Sequence, residues 1–245
     1  MRDSPGLVVF SHLRWDFVWQ RPQHLITRLA ASRRVLFVEE PVPGASEPRW
    51  ELQRPTPNLT ICRPHLPAPA HGFDDSHLPS FRPLLRQLLE QEGATRPVLW
   101  FYTPLALPFG DGIDARAVVY DCMDELSAFK NAPPTLAQRE ADLLRRADVV
   151  FTGGPSLYRA RQGKHPNIHC FPSSVDAGHF GQAARPMIDP PDQIDAPRPR
   201  LGFFGVIDER LDVPLIDAVA AARPDWQLVM VGPVVKIDPA TLPRR

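Results

Sequence analysis

The stretch Leu7–Ala30, LVVFSHLRWDFVWQRPQHLITRLA, runs from an unbroken apolar segment through a polar and aromatic turn into a helix. Leu7–Phe10 shows no polar alternation, the mark of a strand covered on both faces, as in a parallel sheet. Pro22 suits the first turn of the following helix, where its missing N–H is harmless. Strand, turn and helix in this order open a βαβ unit.

The same reading extends along the chain. Short apolar runs occur at Val35–Val38, Leu59–Cys62, Val98–Tyr102, Ala117–Tyr120, Val149–Thr152 and Ile168–Phe171. Helical patterns lie between them at Phe81–Glu92, Leu136–Arg146 and Ser156–Gln162, besides Gln20–Ala31. Leu84, Leu85, Leu88 and Leu89 mark one apolar helix face. Alternating strands and helices predict an α/β fold, a parallel sheet of about six or seven strands with helices on both faces. After the Pro-rich stretch Arg185–Pro199, a second unit begins: strand Leu201–Phe204, helix Pro214–Ala222, strand Leu228–Val231. A lone βαβ unit cannot cover its own apolar faces, so this second domain is expected to be incomplete. The expected boundaries are residues 1–181 for the first domain, 182–199 for a Pro-rich linker and 200–245 for the second.

Composition bounds the function. Lys plus Arg number 28 and Asp plus Glu 28, so the balanced charge lacks the electrostatic footprint of a nucleic-acid binder. Cys62, Cys122 and Cys170 lie in or beside apolar runs without a C-x-x-C pair, which argues for buried reduced thiols over a disulfide framework or a zinc site. No signal peptide is visible, and no apolar run approaches the roughly 20 residues of a membrane span. The expectation is a cytoplasmic protein, with peripheral work at the inner face of the membrane left open. The 30 Pro residues fall mostly between elements, as stiff connections.

In open α/β sheets, ligands bind outside the carboxyl ends of the strands. Three stretches fall there. In the first connection, Trp15 and Trp19 beside Asp16, Gln20, Arg21 and His24 offer flat apolar surface flanked by hydrogen-bonding groups, as sugar rings require. Arg21 suits an acceptor's phosphate or carboxylate. The plainer reading makes Gln23 and His24 ordinary helix surface and His12 a strand end. After the fifth run, YDCMDELSAF places Asp121, Asp124 and Glu125 together, and like charges this close raise at least one pKa, the condition for acid/base work. The alternative is that Asp124 caps a helical turn and Glu125 is solvated. In the second unit, Gly205 and Arg210 stand at a turn before a helix, where an anion is favoured; the alternative is an Arg paired with Asp208, Glu209 and Asp212. Gly153, Gly154 and Ser156 form either a turn with a helix cap or an anion cradle.

Four stretches resemble the GT-B glycosyltransferases, the type with two Rossmann domains and a nucleotide-sugar donor. SHLRWDFVWQRPQHL with RVLFVEEP resembles the N-terminal signature of a bacterial group 1, family 4-like subset described as teichuronic-acid or cell-surface polysaccharide transferases. AVVYDCMDELSAF resembles that subset's central strand and acidic turn, and ADVVFTGGPSLYRARQGKHPNIHCFPSSVDAGHF the end of the N-terminal domain. LGFFGVIDERLDVPLIDAVA resembles the start of the donor-binding domain, although Val206 replaces the usual Arg after the glycine. The family's acidic donor motif lies beyond the second strand of that domain, past Arg245.

The resemblance implies a hexosyltransferase that moves a hexose from a nucleotide-sugar co-substrate to a glycan or lipid-linked acceptor, with no further cofactor and no metal. It assigns Asp124 and Glu125 to the catalytic site, Asp124 for substrate positioning before proton transfer. Trp15, Asp16, Arg21, His24 and Tyr102 fall on the acceptor side of an interdomain cleft, and Gly205 and Arg210 on the donor side. This stretch alone is expected to be inactive and to bind donor weakly. The alternative is a glycan- or partner-binding module on a truncated transferase fold. A Rossmann enzyme of another kind is disfavoured, because neither G-x-G-x-x-G after the first strand nor a P-loop occurs.

Overall fold

A computed structural model describes residues 6–242 and divides the chain between Val175 and Asp176 into two compact units. The first unit holds strands β1 (Leu7–Ser11), β2 (Val35–Glu39), β3 (Arg49–Thr56), β4 (Leu59–His65), β5 (Val98–Phe101), β6 (Ala117–Cys122), β7 (Val149–Thr152) and β8 (Ile168–Cys170). Its helices are α1 (Arg21–Ala30), α2 (Leu78–Gln91), α3 (Leu136–Arg146) and α4 (Pro155–Arg161). The strands form one sheet in the order β3-β4-β2-β1-β5-β6-β7-β8. β1 lies mid-sheet, Leu7 paired in register with Val35 on one side and Val98 on the other. All five of its residues are buried, which is why its sequence has no polar face.

The sheet has eight strands where six or seven were expected. The additional one, β3, is antiparallel to β4 and forms an edge. RWELQRPT is mostly exposed and contains Pro55, so it shows none of the apolar continuity of the central strands. Pro is tolerated at an edge, where an N–H facing solvent is not needed for the ladder. Trp50 anchors β3: its indole N–H donates to Leu84 O at 3.2 Å and its ring meets Phe81 edge-on at 5.8 Å.

The two sheet faces are covered unequally. Side chains alternating as Val8 and Phe10, Leu99 and Phe101, Tyr120 and Cys122 build the larger core with Phe81, Leu85 and Leu88 of α2 and Leu143 and Leu144 of α3. Leu7, Val9, Phe37 and Tyr102 face the other way and pack with Ile26 and Ala30 of α1. Chain direction explains the split. From β1 through α1 the strand order moves one way, and from β5 to β8 the other; right-handed crossovers then place the helices on opposite faces.

The second unit holds α5 (Ala177–Phe180), β9 (Arg200–Phe204), α6 (Val213–Ala222) and β10 (Gln227–Val231). β9 and β10 pair in parallel, Leu201 opposite Leu228. Asp212 caps α6 by accepting from Leu215 N at 3.0 Å. Phe204 and Val231 remain 74% and 46% exposed on this two-stranded sheet. Among the described residues, no helix is long and apolar enough to cross a membrane.

Candidate functional site

Because β1, β2 and β5–β8 run parallel, their carboxyl ends form one rim, and the connection Ser11–Gln20 lies on it. Much of the polarity in this connection builds the connection itself. Gln23 is fully buried; its carbonyl accepts from Gln20 N at 3.0 Å, and its amide donates to Val18 O at 3.0 Å and Trp15 O at 3.2 Å. The reading of Gln23 as helix surface is therefore corrected: it replaces backbone partners that an irregular turn cannot supply. Glu39, also fully buried, ends β2 and accepts from Trp15 N at 2.7 Å, Arg14 at 3.0 Å and Arg63 at 2.6 Å. Arg63 extends this network to Asp16 and Glu51, each at 3.2 Å. Trp15 packs edge-on against Phe37 and Trp19, at 5.0 and 5.8 Å. Asp16 thus belongs with β3 and β4, while Trp15 leads toward α1.

A second cluster joins α1, β6 and β8. Arg21 Nε donates to both Asp121 oxygens, at 3.0 and 3.2 Å, and its NH1 donates to Phe171 O at 2.6 Å. Burial raises the Asp121 pKa; Arg21 opposes that shift. The Tyr102 hydroxyl and Trp100 indole N–H also lie near this carboxylate, yet both are buried without a hydrogen bond of ordinary geometry. Burial pushes the Tyr102 phenol further up, so it stays a neutral donor. On the next helical turn, His24 Nδ1 accepts the Trp19 indole N–H at 3.1 Å, which leaves Nε2–H as the donor of the neutral ring. Trp19 is 54% exposed, a fixed aromatic face on the rim.

The acidic turn divides. Asp121 points to the α1 face, whereas Glu125 meets Arg161 of α4 at 2.9 Å. Arg161 is 2% exposed and also contacts Glu140 of α3 at 2.8 Å, and Glu140 accepts from the Tyr120 hydroxyl at 2.7 Å. Burial pushes the Glu125 carboxyl up, but Ser127 and Arg161 outweigh it and hold it below its ordinary value. Of Asp121 and Glu125, it is therefore Asp121 whose carboxyl is raised, and burial is the cause. Asp124 lies half-buried on the rim, its carbonyl accepting from Cys122 Sγ at 3.5 Å.

Of the residues expected to converge, Arg21, His24 and Tyr102 gather on the α1 side, with Trp15 reaching them through Trp19. Asp16 turns to Arg63, and Glu125 to Arg161. Two further rim groups carry shifted pKa values: burial lowers His12 to about 4 and raises Glu40 to about 7, the latter against Arg14. Their only sequence signal was position, immediately after β1 and β2. Gly153 makes a close approach, since a Cβ there would stand 3.1 Å from the Met123 backbone. The turn reading holds at Gly153, whereas the expected Ser156 cap is corrected: Gly154 is the N-cap of α4, in extended backbone, and no side chain caps the helix.

In the second unit, Arg210 is held by Asp208, which its Nε reaches at 3.0 Å and its NH2 at 2.7 Å. Asp208 is 3% exposed. The arrangement matches the paired-Arg alternative, although the Arg210 side chain stays 59% exposed. Gly205 N donates to Val231 O at 3.0 Å, and a Cβ on Gly232 would stand 1.7 Å from Gly205 O. Two strand-end loops therefore touch backbone to backbone. Among the described residues, no three His, Cys, Asp or Glu side chains gather as metal ligands would.

No protein-family model and no curated protein matches the chain. Solved structures do. An Escherichia coli trehalose-6-phosphate structure with bound UDP-2-fluoro glucose matches with a TM-score of 0.58 at 15% identity, covering 94% of this chain and 65% of that one. Sucrose-phosphate synthase from Thermosynechococcus elongatus matches with a TM-score of 0.61 at 15% identity, over 97% and 64%. An alpha,alpha-trehalose-phosphate synthase (UDP-forming) from Burkholderia vietnamiensis gives 0.51 at 15%, over 95% and 66%. The chain therefore spans about 65% of the length of the first of these structures. At this identity the likeness establishes the fold: the GT-B glycosyltransferase fold, with Rossmann-like parallel sheets.

Proposed function

We propose that the chain serves a glycosyltransferase that moves a hexose from a nucleotide sugar to a cell-surface polysaccharide or glycolipid acceptor. The observation that carries this reading is the GT-B likeness along 94% of the chain to a structure holding UDP-2-fluoro glucose. The placing among group 1, family 4-like polysaccharide transferases rests on the sequence stretches that begin with SHLRWDFVWQRPQHL. In this reading the α1 side of the rim takes the acceptor, and Trp15, Trp19 and His24 present it with a rigid aromatic and hydrogen-bonding edge. Asp124 positions the reacting hydroxyl. Glu125 acts through Arg161, holding the acidic turn against α3 and α4. Gly205 and Arg210 meet the donor phosphates, Arg210 exchanging part of its contact with Asp208 for phosphate oxygen. The donor sugar is the only co-substrate needed. Peripheral membrane work would follow from a lipid-linked acceptor.

A second reading, a glycan-binding module without turnover, is favoured by one observation: Glu125 and Arg210 already have ionic partners in Arg161 and Asp208. Nucleotide release separates the two. In a protein that carries a complete donor domain, the transferase reading expects calorimetric binding of UDP- or GDP-hexose and acceptor-dependent release of the nucleotide, while residues 1–245 alone bind donor weakly. Saccharide binding by that longer protein with neither donor binding nor nucleotide release, across both nucleotides, would overturn it in favour of the module.

A further inference from the structure

The acidic turn after β6 is fixed at both ends. On the sheet side, Cys122 is the last residue of the strand, and its carbonyl accepts from Gly153 N at 2.8 Å. On the far side, one carboxylate oxygen of Glu125 accepts from Arg161 NH2 at 2.9 Å and the other from the Ser127 hydroxyl at 2.7 Å. The Glu125 carbonyl accepts from Ala128 N at 3.0 Å, closing the short helical turn Leu126–Ala128. Only Met123 and Asp124 lie between these fixed points. Met123 also backs onto Gly153, so closely that a Cβ there would stand 3.1 Å from its backbone.

Arg161 is fixed in its turn. Its Nε and NH2 donate to Glu140 Oε1 at 3.0 and 2.8 Å, and the same oxygen accepts from the Tyr120 hydroxyl at 2.7 Å. One buried guanidinium thus bridges two carboxylates, Glu140 of α3 and Glu125 of the turn. A Lys ammonium would carry the same charge without the planar fork that holds both. Losing the bridge frees the far end of the Met123–Asp124 span and leaves β6 itself paired in the sheet. Asp124, half-buried on the rim, is the side chain that such a release would displace. A shift of about 1 Å in a positioning group can cost about a hundredfold in rate.

We propose that Arg161 and Glu140 are positioning residues for Asp124: they hold Glu125, and Glu125 closes the span that places the Asp124 carboxylate. The role of Asp124 in the reaction rests on the transferase reading; the pinning of the turn does not. Two measurements test the proposal. The first is amide exchange at Ala128 in the 245-residue chain, whose bond to Glu125 O reports the turn. Glu125→Ala, at a side chain 43% exposed, and Arg161→Lys are each expected to speed this exchange about tenfold or more, with β1 and β5 unchanged. The second is acceptor-dependent nucleotide release by a protein that carries a complete donor domain. There Arg161→Lys is expected to lower kcat about tenfold or more, with acceptor KM and donor Kd changed less than about threefold. Glu140→Gln should follow in the same direction. In an Asp124→Ala background, Arg161→Lys should change kcat less than about twofold, because its effect passes through Asp124; a merely structural loss would lower both backgrounds alike. Unchanged exchange at Ala128 in both variants overturns the pinning, and equal losses in the two backgrounds overturn the positioning of Asp124. No nucleotide release from the native longer protein, with Ala128 exchange accelerated as expected in the variants, defeats the transferase reading and supports the pinning.

Discussion

Replacing Arg21 with Gln removes the cation facing Asp121 while keeping a polar side chain of similar reach. Four guanidinium contacts are lost or weakened: Nε to both carboxylate oxygens at 3.0 and 3.2 Å, NH2 to the same carboxylate at 2.9 Å, and NH1 to Phe171 O at 2.6 Å. The paired side chains are 9% and 0% exposed, so water cannot substitute easily. Breaking a buried pair from one side costs about 3–5 kcal/mol. At about 2–4 °C per kcal/mol for a chain of this size, Tm should fall by about 6–20 °C. Protonation limits the loss. Burial already raises the Asp121 pKa, and removing Arg21 raises it further. The variant's native state then binds more protons than its unfolded state, and its stability falls as pH rises up to the new native pKa. The deficit relative to the native protein should therefore be larger at pH ~8 than at pH ~5. Adding Asp121→Asn removes the stranded charge and should restore part of the loss, a non-additivity that a double-mutant cycle measures. Urea unfolding followed by tryptophan fluorescence at both pH values is the assay. A deficit under about 1 kcal/mol, independent of pH and unrelieved by the second substitution, would refute the account of a buried, mutually dependent pair.

The remaining predictions concern other parts of the rim and core. Glu40, raised from 4.5 to about 7, binds the extra proton in the native state, so its contribution falls as pH rises through that window. Glu40→Gln should flatten this slope and add about 1–3 kcal/mol at pH ~8, measured by denaturant titration across pH. His12, lowered from 6.5 to about 4, acts in the opposite sense: the native state binds fewer protons, and stability falls as pH drops through that interval. His12→Gln should flatten the acid side, and a slope unchanged in both single variants would refute the opposed pair. Gly232→Ala places a Cβ 1.7 Å from Gly205 O, so it should separate the β9 and β10 loops and raise amide exchange at Gly205. Retained protection there would contradict the backbone contact. Phe81→Ala, at a fully buried ring between Trp50 and Phe109, should cost about 3–5 kcal/mol in thermal or urea unfolding.

Seven parallel strands of the first unit and both strands of the second were legible as apolar runs, because a strand covered on both faces must be apolar at successive positions. α1 to α4 and α6 were legible from their spacing and flanking turns for the same local reason. β3 was not: an exposed edge strand needs no apolar continuity, and RWELQRPT has none. The location of the rim was legible too, since strand direction alone sets it. The partners on that rim were not. Arg21 and Asp121 stand 100 residues apart, and only the placement of β6 beside β5, under the helix that leaves β1, brings them together. Tertiary structure likewise decided that Asp121, on β6, meets Arg21 of α1, while Glu125, in the turn after that strand, meets Arg161 of α4. Trp100, Phe151 and Phe171 looked like ordinary core positions in their separate runs. Their rings meet, Trp100 with Phe151 at 5.8 Å and Phe151 with Phe171 at 5.5 Å, through strand order and register, which depend on pairing between distant segments. Local sequence determined what each segment is; the pairing of distant strands determined which side chains share a site.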